Sequence, residues 1–358
     1  YWGGALATIG GALVLGALGR LRGTPRVSLG VALGGGAAIL MLARPFEGFV
    51  MCLPAAAMAL AKSWRRPRVV IPATAVLALA AAALGYYYWR VTGSPWRVPE
   101  IVQRQQYAVA QVFFWEPLRP EPEYRHQSIR DFFTGWEKEG FLEIRTPSGW
   151  LWNLSKKLVS AWLFFLGPAL TIPLLMARRV ARDRRVRPLC VILAVALIGF
   201  NLTPWFYPHY AAPIASLIFA LLVQAMRHLG RAAAHRILVV TVVVIVVQLA
   251  GQRLLNPPDW PMTWYHTSAG NTARALALSR LRSTEGMHLA IVRYGRNHRA
   301  VMNEWVYNES DIDRAQVVFA REMDAESNRE LIRYFAGRKV WLVEADEEPP
   351  RVGPYPSP

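Results

Sequence analysis

The sequence predicts a polytopic α-helical membrane protein of about eight transmembrane helices, with a small C-terminal α/β extracytoplasmic domain. Three observations carry this. The 358 residues contain long apolar runs, several of them near the roughly 20 residues that a helix needs to cross a hydrocarbon core about 30 Å thick. The net charge of +17 is gathered between those runs. After the last run the pattern changes from helical spacing to short strand-like segments.

The charge sets the topology. Residues 20–26, 62–68, 177–187 and 227–236 hold 16 of the 41 Lys and Arg residues and a single acid, Asp183. The rest of the chain holds 25 basic and 23 acidic residues, which nearly cancel. Basic loops alternating with apolar runs follow the positive-inside rule, which places all four loops in the cytoplasm. The high pI therefore reports topology, and no nucleic-acid partner is expected.

The crossings follow in order. Gly3–Gly19 and Val27–Ala43 are free of charge and slightly short. Phe49–Ala61 is shorter, and Val69–Trp89 reaches full crossing length. Leu158–Ala177, Leu189–Phe200, Pro213–Met226 (in a run that begins near Tyr210) and Ile237–Ala250 complete the eight. Alone, each short run suits a buried core helix or a half-crossing; the charge alternation argues that it spans. Residue 1, the links near 44–47 and 203–209, the segment 90–157 and the tail after 251 then lie outside. The chain opens without Met or a charged signal region, and its first residues already resemble a membrane-helix interior, so a fragment lacking an N-terminal part is expected.

Four parts are expected. Residues 1–89 hold transmembrane helices 1–4, rich in Ala and Gly, which let helices approach closely; Gly34, Gly35 and Gly36 mark either a close contact or a weak point. Residues 90–157 form an extracytoplasmic aromatic loop carrying Trp96, Trp115, Trp136, Trp150 and Trp152. It reads as a solvated loop with an aromatic belt, or as a lid or acceptor-binding surface. Residues 158–253 hold helices 5–8, with Pro204 and Pro208 preventing a regular helix in the link NLTPWFYPHY. Residues 254–358 form the small domain: a helix over Thr272–Leu281, strands over His288–Tyr294, Gln316–Ala320 and Lys339–Val343, and a capping box Ser327-x-x-Glu330 opening a helix that ends near Gly337. Strand, helix, strand implies a right-handed βαβ unit. Cys52 and Cys190 suit the role of small hydrophobes.

Ionisable groups at membrane depth point to function. Arg44 and Glu47, in ARPFEG, sit three residues apart at the outer end of helices two and three. Pro45 suits a helix start, which puts Glu47 in the first turn, where the dipole favours it. The pair either stitches the hairpin or leaves Arg44 to meet an anionic group such as a lipid phosphate. Tyr207, His209 and Tyr210, in YPHY, fall on the same face, with His209 either a packing residue or part of a site. His126, in YRHQSIRDF, lies in the outer loop and could join them. No spacing matches a metal motif, a Ser-His-Asp arrangement or HExxH.

The basic inside loops, the short outer links RPFEG and PHYAAP, the long aromatic loop and the terminal α/β domain together resemble the C-terminal part of bacterial GT-C-type membrane glycosyltransferases, the relatives of polyprenyl-phosphate-sugar-dependent mannosyl and arabinosyl transferases. The resemblance implies an enzyme of the bacterial cytoplasmic (inner) membrane that moves a sugar from a polyprenyl-phosphate donor to an acceptor on the outer face. Its partners would be membrane lipid and that lipid-linked sugar. The family's catalytic carboxylate lies in an outer loop nearer the N-terminus, absent here, so no catalytic residue is assigned and the chain alone is expected to be inactive. Arg44, Glu47, Tyr207, His209, Tyr210 and His126 would line the donor or acceptor cavity. An Arg or, in the full-length protein, a divalent metal would stabilise charge on the leaving phosphate. Two other classes stay open: a transporter or flippase of a lipid-linked substrate, and a non-catalytic membrane scaffold.

Overall fold

The computed structural model describes residues 4–255, 263, 272–296, 298 and 303–356; Tyr1, expected outside, falls beyond them. The chain divides into two compact units. One comprises Tyr1–Pro120 with Glu139–Thr267, the other Glu121–Lys138 with Ser268–Pro358. The division cuts through the expected loop 90–157, and its middle stretch belongs with the C-terminal residues.

The first unit is helical. It contains α1 (Gly4–Arg20), α2 (Val27–Ala43), α3 (Pro45–Ser63), α4 (Pro67–Thr92) and α5 (Pro99–Tyr107). The division falls just inside α7 (Lys138–Glu143), whose first residue belongs to the second unit, and α8 (Pro147–Phe165), a 3₁₀ segment (Ala169–Met176), α9 (Ala177–Arg182) and α10 (Arg187–Phe200) follow. A second 3₁₀ segment (Pro208–Ile214) leads into α11 (Ala215–Leu229) and α12 (Arg231–Leu255). Prolines at the first helical position open α3, α4, α5 and α8, where the missing N–H costs nothing.

Among the described residues, four helices are long and apolar enough to cross a membrane: Pro45–Lys62, Pro67–Thr92, Pro208–Leu229 and Arg231–Gly251. Three apolar helices are shorter: Gly4–Arg20, Val27–Ala43 and Arg187–Phe200. At 1.5 Å per residue a 17-residue helix spans about 25 Å, less than the hydrocarbon core. The crossing expected over Leu158–Ala177 is not one straight helix. α8 and the following helical stretch meet at 110°, because Gly167 is left-handed (φ 59°) and Pro168 follows it. α8 also starts eleven residues before the expected crossing, at Pro147. There Thr146 caps it by accepting the Gly149 N–H at 3.1 Å. The uncovered apolar surface on α4 and α12 is large, with Ile71 65%, Leu79 73% and Val247 63% exposed. Helices this apolar and this bare suit a lipid environment.

Small residues bring the helices together. A Cβ on Gly10 would stand 2.9 Å from the Gly36 carbonyl oxygen, and one on Gly36 2.6 Å from the Gly10 carbonyl oxygen. α1 and α2 therefore cross backbone to backbone. On another face of α2, a Cβ on Gly34 would meet the Ala73 carbonyl of α4 at 2.6 Å, whereas Gly35 has open space. Gly34 and Gly36 are thus close-contact positions.

The second unit holds α6 (Gln127–Arg130) and a π-helical turn (Asp131–Glu137), then α13 (Thr272–Arg282), β1 (His288–Arg293), β2 (Val317–Arg321), α14 (Ala325–Tyr334), β3 (Lys339–Glu344) and β4 (Arg351–Pro354). The sheet is mixed, in the order β2-β1-β3-β4. β1 pairs in parallel with β2 and β3, with His288 opposite Val317 and Lys339, and β4 runs antiparallel to β3. β1 is buried on both faces: Ala290 and Val292 pack with Ala277, Leu281 and Phe319, and Leu289 and Ile291 with Val318 and Phe335. The three expected strands form, but β2 and β3 are not neighbours, because β1 lies between them. The helix cap also differs from expectation. Asp324, not Ser327, is the N-cap, accepting the N–H groups of Glu326 and Ser327 at 3.0 and 2.9 Å. Ser327 already lies in the first turn and donates its hydroxyl to Asp324 at 2.7 Å. β4, an RVGP strand without apolar alternation, carried no strand pattern.

Candidate functional site: the α2–α3 turn and the YPHY link

α2 and α3 share a cap. The Arg44 N–H donates to the Leu40 carbonyl at 2.8 Å, closing α2, and its own carbonyl accepts the Gly48 N–H at 2.8 Å, opening α3. Pro45 disfavours helical geometry at Arg44, which takes φ −149° and ψ 75°. The two helices therefore turn on one residue. Its guanidinium lies over the Tyr210 ring, 4.3 Å from the centroid, a cation–π geometry. Glu47 occupies the first turn of α3, within electrostatic reach of Arg44, Glu100 and Tyr210.

The link supplies three rings. Tyr207 and His209 stack at 5.7 Å and 21°, His209 and Tyr210 meet edge-on at 4.9 Å, and Tyr207 meets Tyr210 at 5.7 Å and 64°. The 3₁₀ turn from Pro208 presses them against α1: Thr8 donates to the Ala212 carbonyl at 3.3 Å, and a Cβ on Gly4 would meet His209 Cβ at 3.7 Å. The aromatic loop joins the same cluster. Phe46 packs edge-on against Phe113 at 5.5 Å, and Phe113 stacks on Trp115 at 4.9 Å. The Phe114 N–H donates to the Leu202 carbonyl at 3.3 Å.

Arg44, Glu47, Tyr207, His209 and Tyr210 thus come together in the first unit. His126 belongs to the second, where burial and then the Arg321 charge hold its imidazole below the usual range, with Glu304 opposing them. Two residues that the sequence reading passed over position the link. From α8, Asn153 donates to the Pro204 carbonyl at 3.0 Å, and Lys157 donates to the Phe200 and Thr203 carbonyls at 2.9 and 2.6 Å. Both are buried. Lys157 neutralises the carbonyl end of α10. Their signal is a polar pair at i and i+4 on a helix otherwise rich in aromatic and apolar side chains.

A cleft of about 730 Å³ in the same unit is lined by Met41, Gly85, Tyr88, Trp89, Trp96 and Val98. Met41 lies three residues before Arg44. Chemically the cluster offers one cation, one carboxylate and several ring faces, and none of its five residues is among those lining the cleft. Among the described residues no cluster of three His, Cys, Asp or Glu side chains is placed to hold a metal ion. Comparison with protein-family models, curated proteins and solved structures finds no match.

Proposed function

We propose that this chain is part of an integral-membrane GT-C-type glycosyltransferase that handles a polyprenyl-phosphate-linked sugar at the face bearing Arg44 and the YPHY link. The observation that carries the reading is the position of Arg44. Arg44 stands at the shared end of two apolar helices, three residues after Met41, which lines a cleft walled by apolar and aromatic side chains. That pairing fits a long-chain lipid with an anionic head: the cleft takes the chain and the arginine takes the phosphate. Glu47 and the Tyr207, His209 and Tyr210 rings then face the sugar. In this reading the eight apolar features span the membrane, with the bent pair as the fifth. The four basic loops are cytoplasmic, and residues 90–157 and the C-terminal unit lie outside the bacterial inner membrane.

Two experiments test it. Photo-crosslinking of the chain in liposomes with a diazirine-bearing polyprenyl phosphate should label α2 and α4. Arg44→Ala should cut labelling about tenfold or more, since hydrogen bonds to charged groups contribute roughly 1.5–3 kcal/mol. Labelling that is absent, or equal in Arg44→Ala, sinks the lipid-phosphate reading. Single cysteines at Gly23 and Ser94, in a background without Cys52 and Cys190, should react with impermeant maleimide from opposite sides; reaction from one side refutes the topology.

A further inference from the structure

α3 and α4 are joined by a short loop, yet each packs more closely on α2 than on the other. α3 meets α2 near the Arg44 turn, where a Cβ on Gly48 would stand 2.7 Å from Leu40 Cβ. α4 meets α2 further along, where Cβ atoms on Gly30 and Gly34 would stand 2.3 and 2.6 Å from the Val69 and Ala73 carbonyl oxygens. A groove of about 230 Å³ is left between them. Gly34 and its neighbours on α2 line it, together with the stretches of α3 from Cys52 to Leu60 and of α4 from Val69 to Leu77. No lining residue is charged, and Thr74 carries the one hydroxyl. The groove reaches the surface, since Ala56, Leu60 and Thr74 are exposed.

One end of the groove is basic. Leu60 and Val69, both lining residues, bracket a loop that carries Lys62, Arg65, Arg66 and Arg68. No acid lies anywhere between Glu47 and Glu100. Arg66 donates to the Leu21 and Gly23 carbonyls at 2.9 and 3.2 Å, which ties the loop to the α1–α2 turn. Lys62, Arg65 and Arg68 are exposed. The Arg65 guanidinium lies over the Trp64 ring, 4.5 Å from its centroid, and Trp64 is itself 63% exposed. An exposed Trp among cations at the end of an apolar helix marks the level of lipid headgroups. The positive-inside pattern accounts for the charge of this loop; the groove that starts at both of its ends is a separate fact.

Size and depth define the occupant. From Leu60 back to Cys52, and from Val69 on to Leu77, the lining runs eight residues, about 12 Å of helix at 1.5 Å per residue. That is most of the roughly 15 Å depth of one leaflet. A helix about 10 Å wide lies over such a groove and not in it, whereas a single alkyl chain lies in it. Lipid tails are as apolar as the lining, so no hydrophobic force draws one lipid in over another. The chain gains dispersion contacts alone, and selection falls to the head. Lys62, Arg65 and Arg68 favour an anionic head over one that carries its own cation.

We propose that the groove between α3 and α4 holds one acyl chain of an anionic phospholipid whose head rests on the Lys62–Arg68 loop. The site is separate from the cleft at Met41, which α4 lines from Ala81 onward. It rests on these helices lying in a bilayer and not on the transferase reading, and it holds for whichever leaflet the loop faces.

The test uses the whole chain in phosphatidylcholine liposomes with a trace of lipid bearing a diazirine midway along one acyl chain. Photoreactive phosphatidylglycerol should label the stretches Cys52–Leu60 and Val69–Leu77 about tenfold more than phosphatidylcholine with the same chain, because each basic residue at headgroup level favours the anion severalfold. This comparison is made in the parent and needs no variant. Ala56→Leu with Thr74→Leu, at two exposed lining positions, fills the groove and should cut that labelling about fivefold by removing the chain's contacts, with thermal unfolding unchanged. Lys62→Gln, Arg65→Gln and Arg68→Gln together should bring phosphatidylglycerol down to the phosphatidylcholine level. The proposal is overturned if both lipids label the parent equally (a lipid annulus only), or if filling the groove changes nothing. It is also overturned if neither lipid labels these stretches (another helix or a second copy then covering the groove), or if unlabelled polyprenyl phosphate competes better than unlabelled phosphatidylglycerol.

Discussion

The Arg44 guanidinium lies over the ring of Tyr210, 4.3 Å from its centroid, although 165 residues of chain separate the two. This contact fastens the α2–α3 turn to the link before α11. A cation over a ring contributes roughly 0.5–2 kcal/mol, depending on desolvation. Tyr210→Phe keeps the ring face and should retain most thermal stability in detergent, whereas Tyr210→Leu should lower it measurably. Equal melting temperatures for the two variants would refute a structural role for the ring face.

The α1–α2 crossing gives a sharper contrast. Gly36→Ala drives a methyl toward the Gly10 carbonyl, where the available separation is 2.6 Å. Overpacking of this kind costs about 1–3 kcal/mol. Gly35→Ala meets open space and should be neutral or stabilising by up to about 1 kcal/mol, from helix propensity. Thermal unfolding of the two variants side by side checks this, and similar losses for both would contradict the crossing.

Lys157 holds two carbonyls at the end of α10 and in the link. Lys157→Met keeps the length of the stem and leaves both carbonyls without that donor. Leaving a buried group unsatisfied costs about 1–3 kcal/mol, so the variant should unfold at a lower temperature. The link should also become more accessible to hydroxyl-radical labelling at Trp205 and Tyr207. Unchanged labelling there would mean that other bonds position the link.

Glu304 predicts an acid dependence confined to the C-terminal unit. Burial alone would raise its pKa. Hydrogen bonds from the Tyr294 hydroxyl and the Val306 N–H, together with Arg321, outweigh burial and hold the carboxyl below the usual range. A depressed carboxyl stabilises the fold above its unfolded value, near 4.3, and that contribution is lost as pH falls through the folded value. Radical labelling of Trp305 should therefore rise below about pH 4. Glu304→Gln should show raised labelling already at neutral pH and a flatter profile. A parent profile flat down to pH 3 would contradict the network.

Much of the molecule was legible without coordinates because it depends on local rules. Val27–Ala43 was read to the residue, since a charge-free run bounded by arginines and a proline leaves few alternatives. The three strands were read within a residue or two from their apolar runs. Pro204 and Pro208 marked the irregular link, and Pro45 marked the start of α3. These are decisions made within one or two turns of chain, where composition dominates.

Only the tertiary structure decided the rest. The break at Gly167–Pro168 depends on a left-handed glycine, because apolarity alone does not distinguish a straight span from a bent one. The division that assigns Glu121–Lys138, and with it His126, to the C-terminal unit rests on packing between segments more than 100 residues apart. The meeting of Arg44 with Tyr210, the carbonyl clamp of Lys157, and the contact of Glu304 with Tyr294 and Arg321 each join residues that share no periodicity. Hydropathy and charge order report which side chains leave water; which of them then meet is set by close helix crossings and by strand order, and neither is written in any one stretch of the chain.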